Sequence, residues 1–185
     1  MVAAFVIPGR MFGPAAGMLM YVGDVAERRG ARVHRHVWSQ EPPSAFDAQL
    51  EGWVRSEIWE PLEQVGGHPL VIGKSLGTAG AAVAAQRSLP AVWLTPLLTA
   101  PWVAAAPGRA GAPFLLVGGT ADNFWDGDLA RRLTPHVLEV EDADHGMRVP
   151  GSPAESIAVL GRLVTAVEEF LDAIDWPEYS RLTLT

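Results

Sequence analysis

The stretch Gly73-Lys74-Ser75-Leu76-Gly77 constrains this chain more than any other, because of what flanks it. Before it runs Pro69-Leu70-Val71-Ile72, short and apolar, which reads as a buried strand. After it, Thr78 to Arg87 is rich in Ala and Gly and reads as a tightly packed helix. A strand that passes into a helix this abruptly holds its serine in a strained backbone conformation. A side chain two positions before or after the serine would collide with the adjoining strand or helix, so glycine fits both places. The hydroxyl then stands at the top of a sheet beside backbone N–H groups at the helix start, which is the arrangement of a nucleophile elbow.

The same letters admit a phosphate-binding reading, and spacing excludes it. A P-loop ending in Gly73-Lys74-Ser75 needs glycine at 68, where the chain has His68; Gly67 comes one residue too early. The intervening Leu70, Val71 and Ile72 are strand-formers, not a flexible cradle. Pro8-Gly9-Arg10-Met11-Phe12-Gly13 is not a dinucleotide fingerprint either.

Six short apolar runs read as strands: Ala3–Ile7, Arg32–Val37, Pro69–Ile72, Ala91–Leu94, Phe114–Val117 and Val137–Val140. Most are continuous, as parallel strands covered on both faces are. Helical spacing fills the gaps over Gly17–Arg29, Phe46–Val65, the segment after Ser75, Trp125–Leu133 and Ser156–Ile174. This alternation predicts a doubly wound α/β sheet whose site lies at the C-terminal ends of its strands. With 185 residues, 49% of them hydrophobic and 19% charged, one domain over 1–185 with a substantial core is expected.

A net charge of −7 argues against nucleic acid or an anionic membrane as partner. The absence of cysteine removes disulfides and thiolate chemistry. The first residues read as a strand and not as a signal peptide, and Met11 to Val22 is too short to span a bilayer, so a cytoplasmic protein is expected. Lys74 is the only lysine beside thirteen arginines, which reads as genome composition and not as a functional choice.

A serine hydroxyl is a weak nucleophile that needs a base, itself oriented by a carboxylate. Of the five histidines, His68 and His136 begin strands, at the wrong end of the sheet, while His34 and His36 lie in or at the edge of the second strand. His145, in the loop after the last strand, is the one in the right place. The loop after Ala91–Leu94 has no carboxylate; after Phe114–Val117 the first is Asp122, the candidate acid. Asp126 is the backup, at a position where an acid is often a helix cap, and Asp142 and Asp144 read as loop-shaping. An oxyanion hole needs two N–H donors. One is the backbone N–H of Leu76; the other comes from the loop after the first strand, with Arg10 favoured and Met11 the alternative. Met11, Phe12, Trp102, Phe124, Trp125 and Met147 sit in loops at the same end and are candidates to line a substrate pocket.

With Val6-Ile7-Pro8-Gly9, the elbow, Gly118-Gly119-Thr120-Ala121-Asp122 and Asp144-His145-Gly146, the chain resembles the α/β-hydrolase superfamily over nearly its full length. Within it, the chain looks like small lidless serine esterases and dienelactone-hydrolase-like proteins. Two features depart from the family: Pro8 stands where it usually has histidine, and the usual two strands before Ala3–Ile7 are missing. The resemblance therefore implies a minimal sheet of six strands in the order 2-1-3-4-5-6, without a large cap. It also implies acyl transfer from a small-molecule ester or related acyl compound to water, through Ser75, Asp122 and His145 and with no cofactor or metal. The cysteine chemistry of dienelactone hydrolases is not implied. A catalytically silent binding or scaffold protein, or an acyltransferase using the same residues, are the alternatives.

Overall fold

The computed structural model describes residues 2–11, 13–15 and 17–178. Six strands form one parallel sheet: β1 (Ala3–Ile7), β2 (Arg32–Arg35), β3 (Leu70–Lys74), β4 (Ala91–Leu94), β5 (Phe114–Gly119) and β6 (Val137–Val140), in the order β2-β1-β3-β4-β5-β6. The helices are α1 (Met18–Arg28), α2 (Gln49–Val65), α3 (Ala81–Gln86), α4 (Pro101–Ala104), α5 (Gly127–Leu133) and α6 (Pro153–Ala173). The strand order is the one that the family resemblance implies.

Alternation along the central strands explains why they read as continuous apolar runs. In β1, Ala4 and Val6 face the layer of α1 and α6, with Val22, Leu163, Val167 and Phe170. Phe5 and Ile7 face the opposite layer, with Val54, Ile58 and Leu62 of α2 and Val83 of α3. Each residue of the strand is buried because each face has its own helices.

Several boundaries differ from those predicted, each for a local reason. β2 ends at Arg35 and not at Val37: His36 N still donates to Val6 O at 2.9 Å, but β1 runs out at Ile7 and Val37 is 68% exposed. α2 begins at Gln49, where Asp47 Oδ1 accepts the Gln49 N–H at 2.8 Å, so Phe46 stays in the loop before it. α5 begins at Gly127 because Asp126 caps it, accepting the Leu129 N–H at 2.8 Å. α6 begins at Pro153, behind a reciprocal capping box between Ser152 and Glu155. The segment after Ser75 opens as a 3-10 turn over Ser75–Gly80 before α3. No helix among the described residues is long and apolar enough to cross a membrane.

Candidate active site

The segments that follow the six strands meet at the C-terminal ends of the strands around a cavity of about 880 Å³. Ser75 stands at its floor. Its φ is 51°, in the left-handed region that a non-glycine residue enters only when the surroundings impose it. Two glycines make that turn possible. A Cβ on Gly73 would lie 2.6 Å from the Trp93 ring and 2.8 Å from Gly77 O. A Cβ on Gly77 would run into the carbonyl oxygens of Ile7 and Pro8.

His145 Nε2 lies 2.8 Å from Ser75 Oγ, and His145 Nδ1 lies 2.8 Å from Asp122 Oδ2. The Asp122 side chain is almost fully buried, and its other oxygen accepts the Phe124 N–H at 2.9 Å. With a carboxylate on Nδ1, the imidazole proton sits there and Nε2 keeps a lone pair for the serine hydroxyl.

The two supporting loops are tied to each other. Ala121 N donates to Ala143 O at 3.1 Å and Asp142 N donates to Thr120 Oγ1 at 2.8 Å. Gly119 allows this approach, since a Cβ there would strike Ala143. Asp144 gathers the turn around His145, its Oδ1 accepting from Gly146 N at 2.7 Å and Arg148 N at 2.9 Å. Desolvation pushes the Asp144 carboxyl up. The backbone N–H groups of Arg148 and Gly146 and the Arg148 guanidinium outweigh it, leaving the group below its ordinary value.

Lys74 borders this cavity as well, a placement that its reading as genome composition did not address. Its Nζ donates to Thr95 Oγ1 at 3.2 Å and to the carbonyl oxygen of His145 at 3.3 Å, and it lines the cavity. Burial lowers the ammonium pKa, while the carboxylates of Asp122 and Asp144 pull it back up. No motif marks this placement, because it depends on which way the residue before the elbow serine points.

The structure brings only some of the predicted pocket residues together. Met11, 82% exposed, and Phe124 line the cavity; the Phe124 ring meets His145 edge-on at 5.3 Å. Phe12 lies outside the described residues. Trp125 is turned inward, its ring filling the space above Gly118 and its Nε1 donating to Glu139 Oε2 at 2.7 Å. Met147 is buried in the core against the α1 and α6 layer. Trp102 packs on Phe46 at 5.6 Å and is not part of the wall. Phe46, expected inside a helix, lines the cavity instead, as do Leu97, Met18 and Leu19. Leu76 and Arg10 also border it, and the Arg10 guanidinium turns away to donate to Pro42 O at 3.0 Å and Pro43 O at 2.7 Å. Asp126 caps α5 and takes no part. His34 and His36 line a separate cavity, and His136 packs on Phe170 at 5.1 Å. Among the described residues there is no group of three or more histidines and acids placed to hold a metal ion.

No family model matches the chain, and no curated protein does. Solved structures do. Est1E from Butyrivibrio proteoclasticus is similar with a TM-score of 0.72 at 12% identity, covering 92% of this chain and 86% of its own. Mouse alpha/beta hydrolase domain-containing protein 10 gives a TM-score of 0.65 at 14% identity over 93% of this chain and 90% of its own. A monoacylglycerol lipase from Paleococcus ferrophilus gives 0.58 at 16% over 89% and 97%. Six parallel strands in this order, an elbow at the end of β3 and these likenesses together identify the architecture: the chain has the α/β-hydrolase fold, in a small form without a cap domain.

Proposed function

We propose that this protein is a serine hydrolase acting on small carboxylic esters or related acyl compounds. The observation that carries this reading is the unbroken run of hydrogen bonds from Asp122 through His145 to Ser75, with 2.8 Å at each step. A histidine held so is a base for the hydroxyl and then an acid for the leaving group.

In the proposed cycle Ser75 Oγ attacks the ester carbonyl carbon while its proton passes to His145 Nε2. Asp122 holds the imidazole and balances the charge of the imidazolium. The tetrahedral oxyanion is received by the backbone N–H of Leu76 and by one from the loop after β1. Collapse breaks the ester C–O bond, with His145 returning the proton to the departing alkoxide. Water, deprotonated by His145, then attacks the acyl carbon; collapse breaks the Ser75 Oγ–acyl bond, His145 returns the proton to Oγ, and the acid leaves. The cycle uses only protein groups and water.

The apolar wall of Phe46, Phe124, Leu97 and Leu19 supports an aliphatic or aromatic acyl group as substrate. The structural neighbours agree with this class: Est1E has been solved with ferulic acid bound, and another neighbour is a monoacylglycerol lipase.

An ester panel of graded acyl length, including aryl esters, tests the reading with wild type and Ser75→Ala side by side. Turnover by wild type that favours apolar acyl groups, with Ser75→Ala at background, is expected. Equal rates for the two proteins across the panel would refute it.

A further inference from the structure

The loop after β1 carries Gly9 and Arg10 over the serine. A Cβ built on Gly9 would sit 3.5 Å from Ser75 Cβ and 3.6 Å from Lys74 O, and both Gly9 and Arg10 border the cavity. Glycine makes the Gly9–Arg10 peptide easy to rotate, since its φ and ψ are little restricted. In one orientation the unit offers an N–H to the space above Ser75. Rotated over, it offers a carbonyl oxygen, which repels an oxyanion.

One bond selects between them. The Trp38 indole Nε1–H donates to Gly9 O at 3.0 Å. In a trans peptide the carbonyl and the following N–H point in opposite directions. Trp38 lies outside the cavity wall, meeting His36 edge-on at 4.9 Å and Trp53 of α2 at a tilt at 5.0 Å. Drawing the Gly9 carbonyl toward Trp38 therefore turns the Arg10 N–H away from Trp38, and the cavity that Gly9 and Arg10 border is one that Trp38 does not line.

The segment bearing Trp38 is itself held. Ser39 N and Oγ donate to the Glu57 carboxylate of α2 at 2.7 and 2.6 Å, and the Arg10 guanidinium grips Pro42 O and Pro43 O of the same segment. We infer that Trp38 is a positioning residue that locks the Gly9–Arg10 peptide, making the Arg10 N–H, and not that of Met11, the second oxyanion donor. This rests on the hydrolase reading above.

Two replacements at position 38 test it. Trp38→Phe removes the N–H, and the benzothiophene analogue of tryptophan, which puts sulfur in place of the N–H, removes it while preserving the ring shape. The analogue keeps the test decisive if Trp38→Phe folds poorly. Both are expected to lower kcat by about 10- to 100-fold, below the loss typical of deleting an oxyanion donor outright. KM should stay within about threefold, and affinity for an arylboronic acid, which mimics the tetrahedral intermediate, should fall in parallel with kcat. Trp53→Phe, which alters the same aromatic cluster but no bond to Gly9, should leave kcat and boronate affinity near wild type. Unchanged kcat in the benzothiophene protein, or a loss no larger than that of Trp53→Phe, would overturn the inference. A wild type that neither hydrolyses esters nor reacts at Ser75 would instead remove the hydrolase reading, and this inference with it.

Discussion

Ser75 holds a left-handed backbone that only Gly73 and Gly77 leave room for, and its hydroxyl meets the one histidine that the strand order places beside it. Ser75→Ala and His145→Ala should each lower kcat by about 10⁴-fold or more with unchanged circular dichroism. Asp122→Asn should cost roughly 10⁴-fold, because an amide at Nδ1 favours the wrong tautomer; steady-state kinetics on the best ester checks all three. Lys74 gives a prediction in pH. Burial lowers its pKa in the folded state, so between that lowered value and the ordinary lysine value the unfolded chain binds more protons. Stability in that alkaline window therefore rises with pH as the buried charge is relieved. The stability of wild type relative to Lys74→Met should rise from neutral to alkaline pH in urea titrations; a flat difference would contradict the assignment. At this scale the sequence was most legible where few candidates compete. His145 stood alone after β6, and Asp122 came first after β5. Lys74 was illegible because its direction is set by the elbow's backbone, and Trp125 and Met147 because a loop residue's sequence position does not say which way it faces.

The elements owe their ends to caps and close approaches. Gly77 touches the backbone of Ile7, the last residue of β1, and of Pro8 after it, so Gly77→Ala cannot be absorbed by a side-chain shift. It should destabilise by about 2–4 kcal/mol in urea denaturation. Asp126→Ala removes the α5 cap and should cost about 1 kcal/mol, with activity retained on the ester panel. That contrast with Asp122→Asn separates the two aspartates. Strand positions were readable because β1, β3, β4 and β5 are buried on both faces and carry unbroken apolar runs. The end of β2 was not, because an edge strand stops where its only neighbour stops. The starts of α5 and α6 carry their signals in Asp126 and in Ser152-Pro153-Ala154-Glu155, polar caps that stand outside the hydrophobic periodicity marking the helix bodies.

At the scale of the molecule, two helical layers cover the faces of the sheet and leave the C-terminal ends of its strands open, so Ser75, Asp122 and His145 each arrive on a segment rooted at a strand end. Leu163, fully buried between α6 and the sheet, should cost about 2–5 kcal/mol as Leu163→Ala while the chemistry at the strand ends persists. Alternating strands and helices with right-handed crossovers made the parallel sheet legible, while the order of its strands came from the family resemblance and not from the alternation. The wall of the cavity was not legible, since Phe46 reaches it only because α2 starts late. The most direct test of the account is reaction of the wild-type protein with a fluorophosphonate, followed by peptide mass spectrometry. The account predicts one adduct, on Ser75, that is absent in Ser75→Ala and much slower to form in His145→Ala. A folded wild-type protein that stays unlabelled at Ser75 would contradict it.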